Sequence, residues 1–253
     1  MPALHSIVQG QGPVIVLSHA LGCDLHMWDE VTALLQDRYT IVRYDQRGHG
    51  RSPASATDFN MHDLAQDAAE LIAGLGRGAV HFAGVSMGGM TAQALAALHP
   101  DMVRSITIAN SAARYDDAAQ QGWQARIDTV RAQGVASIAD GALQRWLSPE
   151  FVASHAARVA RMRDSLVAID PQPYAQACQA VAGIALHETN AAIRCPALVI
   201  AGTLDAATPL AMSQEIADGI AGAELATIDA AHISCVEQPE RFAALLDGFI
   251  QRV

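Results

Sequence analysis

The chain reads as a doubly wound α/β domain, a mostly parallel sheet with a helical cap inserted after the strand near residues 103–110. Three observations predict this. Short Val/Ile-rich runs recur along the sequence, helix-like segments alternate with them, and the alternation fails once. Continuous apolar runs suit parallel strands covered on both faces, and their alternation with helices gives the fold class.

The predicted strands are, in order, "PVIVLSHA", "YTIVRYD", "AVHFAGVS", "VRSITIAN", "ALVIAGTLD" and "AELATIDAA". Helical patterns fall at Asp63 to Gly74, Gly89 to Leu98, Met212 to Ile220 and Glu240 to Ile250. Between about Arg114 and Ile193 no Val/Ile strand intervenes. Four helix-compatible pieces fill that stretch, "AAQQGWQARIDTVRAQG", "VASIADGALQRWL", "EFVASHAARVARMRDSLVAI" and "PYAQACQAVAG", with Pro149, Pro171 and Pro173 as punctuation. The core is therefore assigned to residues 1–113 and 194–253, and the cap to residues 114–193.

Composition removes several classes of function. The net charge is −10, no lysine is present and the arginines are dispersed, so no basic stripe could neutralise a nucleic-acid backbone. No apolar run approaches the roughly 20 residues a bilayer span needs, and "MPALHSIVQG" lacks the basic and apolar regions of an export signal. A cytoplasmic protein without membrane or nucleic-acid partners is expected. Cys23, Cys178, Cys195 and Cys235 are far apart and lack paired metal spacing, so free thiols are expected. With no phosphate-binding loop and no His/Cys cluster, neither a metal nor a cofactor is implied.

The chemistry concentrates in Gly84-Val85-Ser86-Met87-Gly88, which follows a predicted strand and opens a predicted helix. That context defines a nucleophile elbow, in which a sharp turn lifts a serine above the sheet while glycines leave room for the reversal. A serine hydroxyl needs a base and an orienting acid. Asp205 ends "ALVIAGTLD", where open α/β sheets place functional groups, and His232 follows the next strand in "TIDAAHISC". Taken alone, Asp205 could be a helix cap and His232 a structural histidine. The chain order serine, acid, histidine joins the three.

Acyl transfer also needs two N–H donors for an oxyanion. Met87, after the nucleophile, supplies one, and Leu21 in "SHALGCDLHMW" is assigned the other. By contrast "RYDQRGHGRS", Arg43 to Ser52, reads as a structural loop.

These segments identify the chain as similar to the α/β-hydrolase family. Within it, "LSHALGCDLHMWD", "RYDQRGHGRS", "GVSMGGMTAQ", "ITIANSAARYDD", "GWQARIDTVRAQG", "RWLSPEF", "VIAGTLDAATP" and "AAHISCVEQPERF" resemble the 3-oxoadipate enol-lactone hydrolases of aromatic catabolism. The resemblance implies the same triad and oxyanion residues, and an anionic enol-lactone as small-molecule substrate. In one departure, only "LHSIVQG" precedes "PVIVLSHA", so an edge strand is expected to be missing. A substrate carboxylate calls for a local cation in so acidic a protein. Arg126 is the candidate, with Trp123 three residues away on the same helix and Trp28 beside the oxyanion loop as apolar contacts; Trp146 is assigned to packing. Two other readings stay open: a general carboxylesterase or perhydrolase with the same triad, and a ligand-binding receptor that retains the fold.

Overall fold

The computed structural model describes residues 4–253. Its sheet has seven strands among the described residues: β1 (Ser6–Gly10), β2 (Val14–Ser18), β3 (Thr40–Tyr44), β4 (Val80–Val85), β5 (Val103–Ala109), β6 (Ala197–Gly202) and β7 (Glu224–Ile228). They lie in the order β1-β3-β2-β4-β5-β6-β7. Only β1 runs antiparallel to its neighbour; the remaining pairs are parallel. Every residue of β2, β3, β4 and β6 is buried, whereas the edge strands β1 and β7 are partly exposed. That contrast explains why the central strands read as continuous apolar runs.

The short N-terminal segment supplies one antiparallel edge strand, β1, paired over its full length with β3. Among the described residues six α-helices flank this sheet from the core segments: α1 (Asp29–Leu35), α2 (Met61–Leu75), α3 (Met87–Leu98) and, after β6, α9 (Leu210–Gly219), α10 (Ser234–Glu237) and α11 (Pro239–Ile250), with 3-10 turns at Leu25–Trp28 and Pro100–Met102. The helix α2 starts two residues earlier than its apolar period indicates because Asn60 and Asp63 form a capping box, and it ends on left-handed Gly76. In the core α2 packs on α3, and α1 packs on α11.

Between β5 and β6 the chain is helical: α4 (Asp117–Gln133), α5 (Ala136–Trp146), α6 (Pro149–Ser154), α7 (Ala156–Val167) and α8 (Pro171–Ala182), followed by two 3-10 turns. The helix α4 packs on α8, and α5 on α7. The segment read from sequence as one helix from Glu150 to Ile169 is two, because His155 leaves helical geometry (φ −124°, ψ 41°). The four cysteines are free thiols, three of them buried. No helix among the described residues is long and apolar enough to cross a membrane.

Candidate active site

Ser86 sits between β4 and α3 with φ 55° and ψ −116°, a left-handed conformation for a residue that is not glycine. Backbone strain of this kind costs on the order of 1–3 kcal/mol and is held in place by its surroundings. Here Ser86 N–H donates to the Ala109 carbonyl (2.9 Å), and the Ser86 carbonyl accepts from Ser111 Oγ (2.9 Å). The turn is narrow. A Cβ on Gly84 would collide with the Gly88 carbonyl, and one on Gly88 with the Ser18 carbonyl. Glycine is needed at both positions for close approach, since neither has positive φ.

The structure brings Asp205 and His232 together at the ends of β6 and β7. His232 Nδ1 donates to Asp205 Oδ2 (2.9 Å). The same oxygen accepts from Thr208 Oγ1 (2.7 Å) and Asn110 Nδ2 (3.0 Å), while Oδ1 accepts from the N–H groups of Ala207 (2.8 Å) and Thr208 (2.9 Å). Burial pushes the Asp205 carboxyl up, but the His232, Thr208 and Asn110 donors outweigh it and hold the group well below the usual carboxylate range. An ionised Asp205 fixes the imidazole with Nδ1 as donor, which leaves Nε2 with a free lone pair. Ser86 Oγ has no hydrogen-bond partner among the described residues. Ser86 and His232 line one cavity of about 460 Å³.

Leu21 lines that cavity, and Met87 is the first residue of α3, where an amide has no partner within its helix. Leu21 N–H has no partner among the described residues, whereas Gly22 N–H donates to His49 Nε2 (3.1 Å) and Cys23 N–H to the Ala20 carbonyl (3.1 Å). The "RYDQRGHGRS" loop is the brace for this turn. His19 Nε2 accepts from Gln46 N–H (2.8 Å), Gln46 Nε2 donates to the His19 carbonyl (2.7 Å), and Asp45 Oδ1 accepts from Leu25 N–H (2.8 Å). Arg47 grips Asp67 with two bonds (2.6 and 2.7 Å).

Both brace histidines accept from backbone N–H groups, which requires neutral rings. Burial lowers His19 to about 4 and His49 to about 3, with the neighbouring His19 ring adding to the second shift. These values lie below the roughly 6.5 of an unfolded histidine, so the unfolded chain takes up the protons first as pH falls. The stabilisation is complete above about pH 6.5 and is lost progressively towards pH 4, by up to about 1.4 kcal/mol per pH unit for each ring. Urea midpoints should therefore fall between pH 7 and pH 5, and fall less steeply in a His49→Gln variant. Equal slopes would remove His49 from this role.

The helical stretch contributes the other cavity wall. Trp123 and Arg126 of α4 both line it, as do Tyr115 before α4 and Arg145 and Trp146 at the end of α5. The Arg126 guanidinium lies 5.6 Å from the Trp123 ring centre and 5.5 Å from that of Tyr174, and it donates to the Tyr174 hydroxyl. Its Nε is buried with no partner. Among the described residues neither Arg126 nor Arg145 is paired with a carboxylate.

One tryptophan assignment is corrected. Trp28 is fully buried and packs edge-on against Phe242 of α11, 5.6 Å between ring centres, so it belongs to the core and does not touch the cavity. The 3-10 turn at Leu25–Trp28 carries its side chain inward. Trp146 is buried in the hydrophobic core, in keeping with its assignment to packing, and one side of it also lines the cavity. Arg145, Thr208 and Asn110 were not singled out from sequence, although each falls in a segment that carries the resemblance, "RWLSPEF", "VIAGTLDAATP" and "ITIANSAARYDD". A second cavity of similar volume, between the Cys23–Glu30 segment and α7, contains neither Ser86 nor His232.

The chain matches a family model described as the alpha/beta hydrolase fold over residues 13–239. It is 35% identical over 244 residues to 3-oxoadipate enol-lactonase 2 of Acinetobacter baylyi, covering 96% of this chain and 91% of that one. A crystal structure of the enol-lactonase from Burkholderia xenovorans LB400 superposes with a TM-score of 0.94 at 36% identity, covering 98% of this chain and 96% of the other. A thermophilic esterase from Thermogutta terrifontis gives a TM-score of 0.92 at 27% identity, covering 98% and 93%.

Proposed function

The chain belongs to the alpha/beta hydrolase fold family, and from that premise we propose that it opens 3-oxoadipate enol-lactone to 3-oxoadipate, as a step in the catabolism of aromatic compounds. Two named enol-lactonases among its relatives support lactone hydrolysis. The observation that carries the choice of an anionic lactone is Arg126, which lines the cavity beside two aromatic rings with no carboxylate partner among the described residues and a buried Nε lacking any partner. A substrate carboxylate satisfies that cation, and Arg145 extends the same positive wall.

In the proposed mechanism Ser86 Oγ attacks the lactone carbonyl as His232 Nε2 takes its proton, and the Leu21 and Met87 N–H groups hold the oxyanion. Asp205 stabilises the imidazolium. Collapse breaks the ring C–O bond and expels an enolate oxygen, which becomes the 3-oxo group on protonation at carbon. An enolate leaves more readily than an alkoxide, so the demand on His232 as acid is modest. Water activated by His232 then cleaves the acyl-enzyme. Because the leaving group stays tethered to the acyl group, no first-product burst accompanies acylation.

The test follows loss of ultraviolet absorbance of freshly prepared lactone beside cleavage of a neutral aryl ester. The lactone should be consumed far faster. Arg126→Ala should raise KM for the lactone by about tenfold to a hundredfold, the loss expected for a hydrogen bond to a charged group, with ester cleavage little changed. Slow lactone decay with brisk ester cleavage would establish a general esterase, and unchanged lactone affinity in the variant would sink the carboxylate role.

A further inference from the structure

Among the described residues Ser86 has one companion with positive φ outside glycine: Asn110, at the end of β5, with φ 48°. An outlier held this firmly asks what it positions. Its side chain is fully buried and every polar atom is used. Nδ2 donates to Asp205 Oδ2 (3.0 Å) and to the Ala231 carbonyl (3.2 Å), and Oδ1 accepts from Ser234 Oγ (2.5 Å). Thus one amide joins the loop that carries Asp205 to both sides of His232. Its backbone N–H donates to the Ile200 carbonyl of β6 (2.9 Å), and the carbonyl of the preceding residue, Ala109, accepts from Ser86 N–H. Space is reserved for the amide at Gly202, where a Cβ would come within 2.7 Å of Nδ2.

We infer that Asn110 is a positioning residue for this hydrolase, locking the Asp205 carboxylate and the His232 loop in one geometry, and that Ser234 sets the direction of its amide. The inference rests on the serine-hydrolase reading above. An Asn side chain can present either N–H or carbonyl to a neighbour. The Ser234 hydroxyl donates to Oδ1, so the N–H end faces Asp205; the reversed amide would set a carbonyl against a carboxylate. Neither residue lines the substrate cavity. Their effect therefore falls on kcat and spares KM.

Three variants separate positioning from packing. Asn110→Gly deletes the amide while tolerating the left-handed backbone. Asn110→Asp keeps the shape but replaces a donor with a like charge beside Asp205. Ser234→Ala frees the amide and leaves residue 110 intact. With kcat for the lactone expressed per fluorophosphonate-reactive site, Asn110→Gly should lose about tenfold to a hundredfold. Asn110→Asp should lose more, and Ser234→Ala less but in the same direction, each with KM retained. The low-field proton signal of His232 Nδ1–H should be displaced in all three.

A merely structural amide gives the opposite order, with the isosteric Asn110→Asp close to wild type and Asn110→Gly worst. That order, or an unmoved His232 signal with wild-type kcat per reactive site, overturns the inference. Should Asn110→Gly fail to fold, Ser234→Ala decides by the same two readouts. Wild-type protein that takes no fluorophosphonate label would instead remove the serine-hydrolase reading itself.

Discussion

Replacing Ser86 by alanine should lower kcat/KM for the enol-lactone by about ten-thousandfold or more while leaving the fold intact. The two halves of this expectation have separate causes. Chemistry fails because no other hydroxyl accompanies His232 in the cavity at the elbow position, and the oxyanion donors alone retain only residual catalysis. Stability holds because Ser86 Oγ has no hydrogen-bond partner among the described residues and the side chain is only half-buried. Its removal leaves neither an orphaned polar group nor a core void. The strained backbone is fixed by Ala109 and Ser111, not by the hydroxyl. Decay of lactone absorbance and a urea titration on the same preparation check both parts. A further check is non-additivity: adding His232→Ala to Ser86→Ala should cost little more, since groups acting as one unit fail together. Lactone turnover by Ser86→Ala near the wild-type rate would dismiss the nucleophile.

Gly84→Ala and Gly88→Ala should each destabilise the fold by about 3 kcal/mol or more, at or beyond the top of the usual range for overpacking. What the new methyl meets sets the size. At Gly84 it meets the Gly88 carbonyl and the Gly89 nitrogen (2.7 Å), and at Gly88 it meets the Ser18 carbonyl carbon (2.6 Å) and the His19 carbonyl oxygen (3.0 Å). These are all main-chain atoms of the elbow and the oxyanion strand, so relief requires the strand and helix to separate. Gly89→Ala is the useful contrast. Its methyl meets side-chain atoms only, Ser111 Cβ (2.8 Å), Ser111 Oγ (2.9 Å) and Ile108 Cγ2 (3.2 Å); rotamers move the last two, and a small shift of the Ser111 segment relieves the first without parting strand from helix. Urea midpoints should rank wild type, Gly89→Ala, then the other two. A Gly84→Ala protein as stable as wild type would show that the close approach at the elbow is not rigid.

The legible parts of this molecule were those encoded in neighbouring residues. Continuous burial of β2, β3, β4 and β6 leaves unbroken apolar runs in the sequence. The elbow is equally local, because a narrow turn restricts the residues on either side of its serine. Boundaries were less legible. The helix α1 was missed because seven residues, DEVTALL, are too few to display a period. The break at His155 was missed because nothing in "VASHAAR" is a glycine or proline, and α6 and α7 are nonetheless separate helices.

By itself the sequence determined the strand–helix rhythm and the family resemblance, and it put Ser86, Asp205 and His232 forward in the order the chemistry needs. Tertiary structure alone decided which side chains share the cavity. Trp28 adjoins the Leu21 turn in the chain, yet it turns onto Phe242, 214 positions later, and Trp146, in the core, also shares the cavity wall with Ser86. His49 reaches the turn after β2 through Gly22, and Asn110 reaches Asp205, His232's neighbour Ala231 and Ser234 at once. The physical reason is common to all of these. Periodicity and turn sterics act over a few residues, so composition records them locally, whereas a hydrogen bond or ring contact between distant segments exists only once the sheet has set their separation.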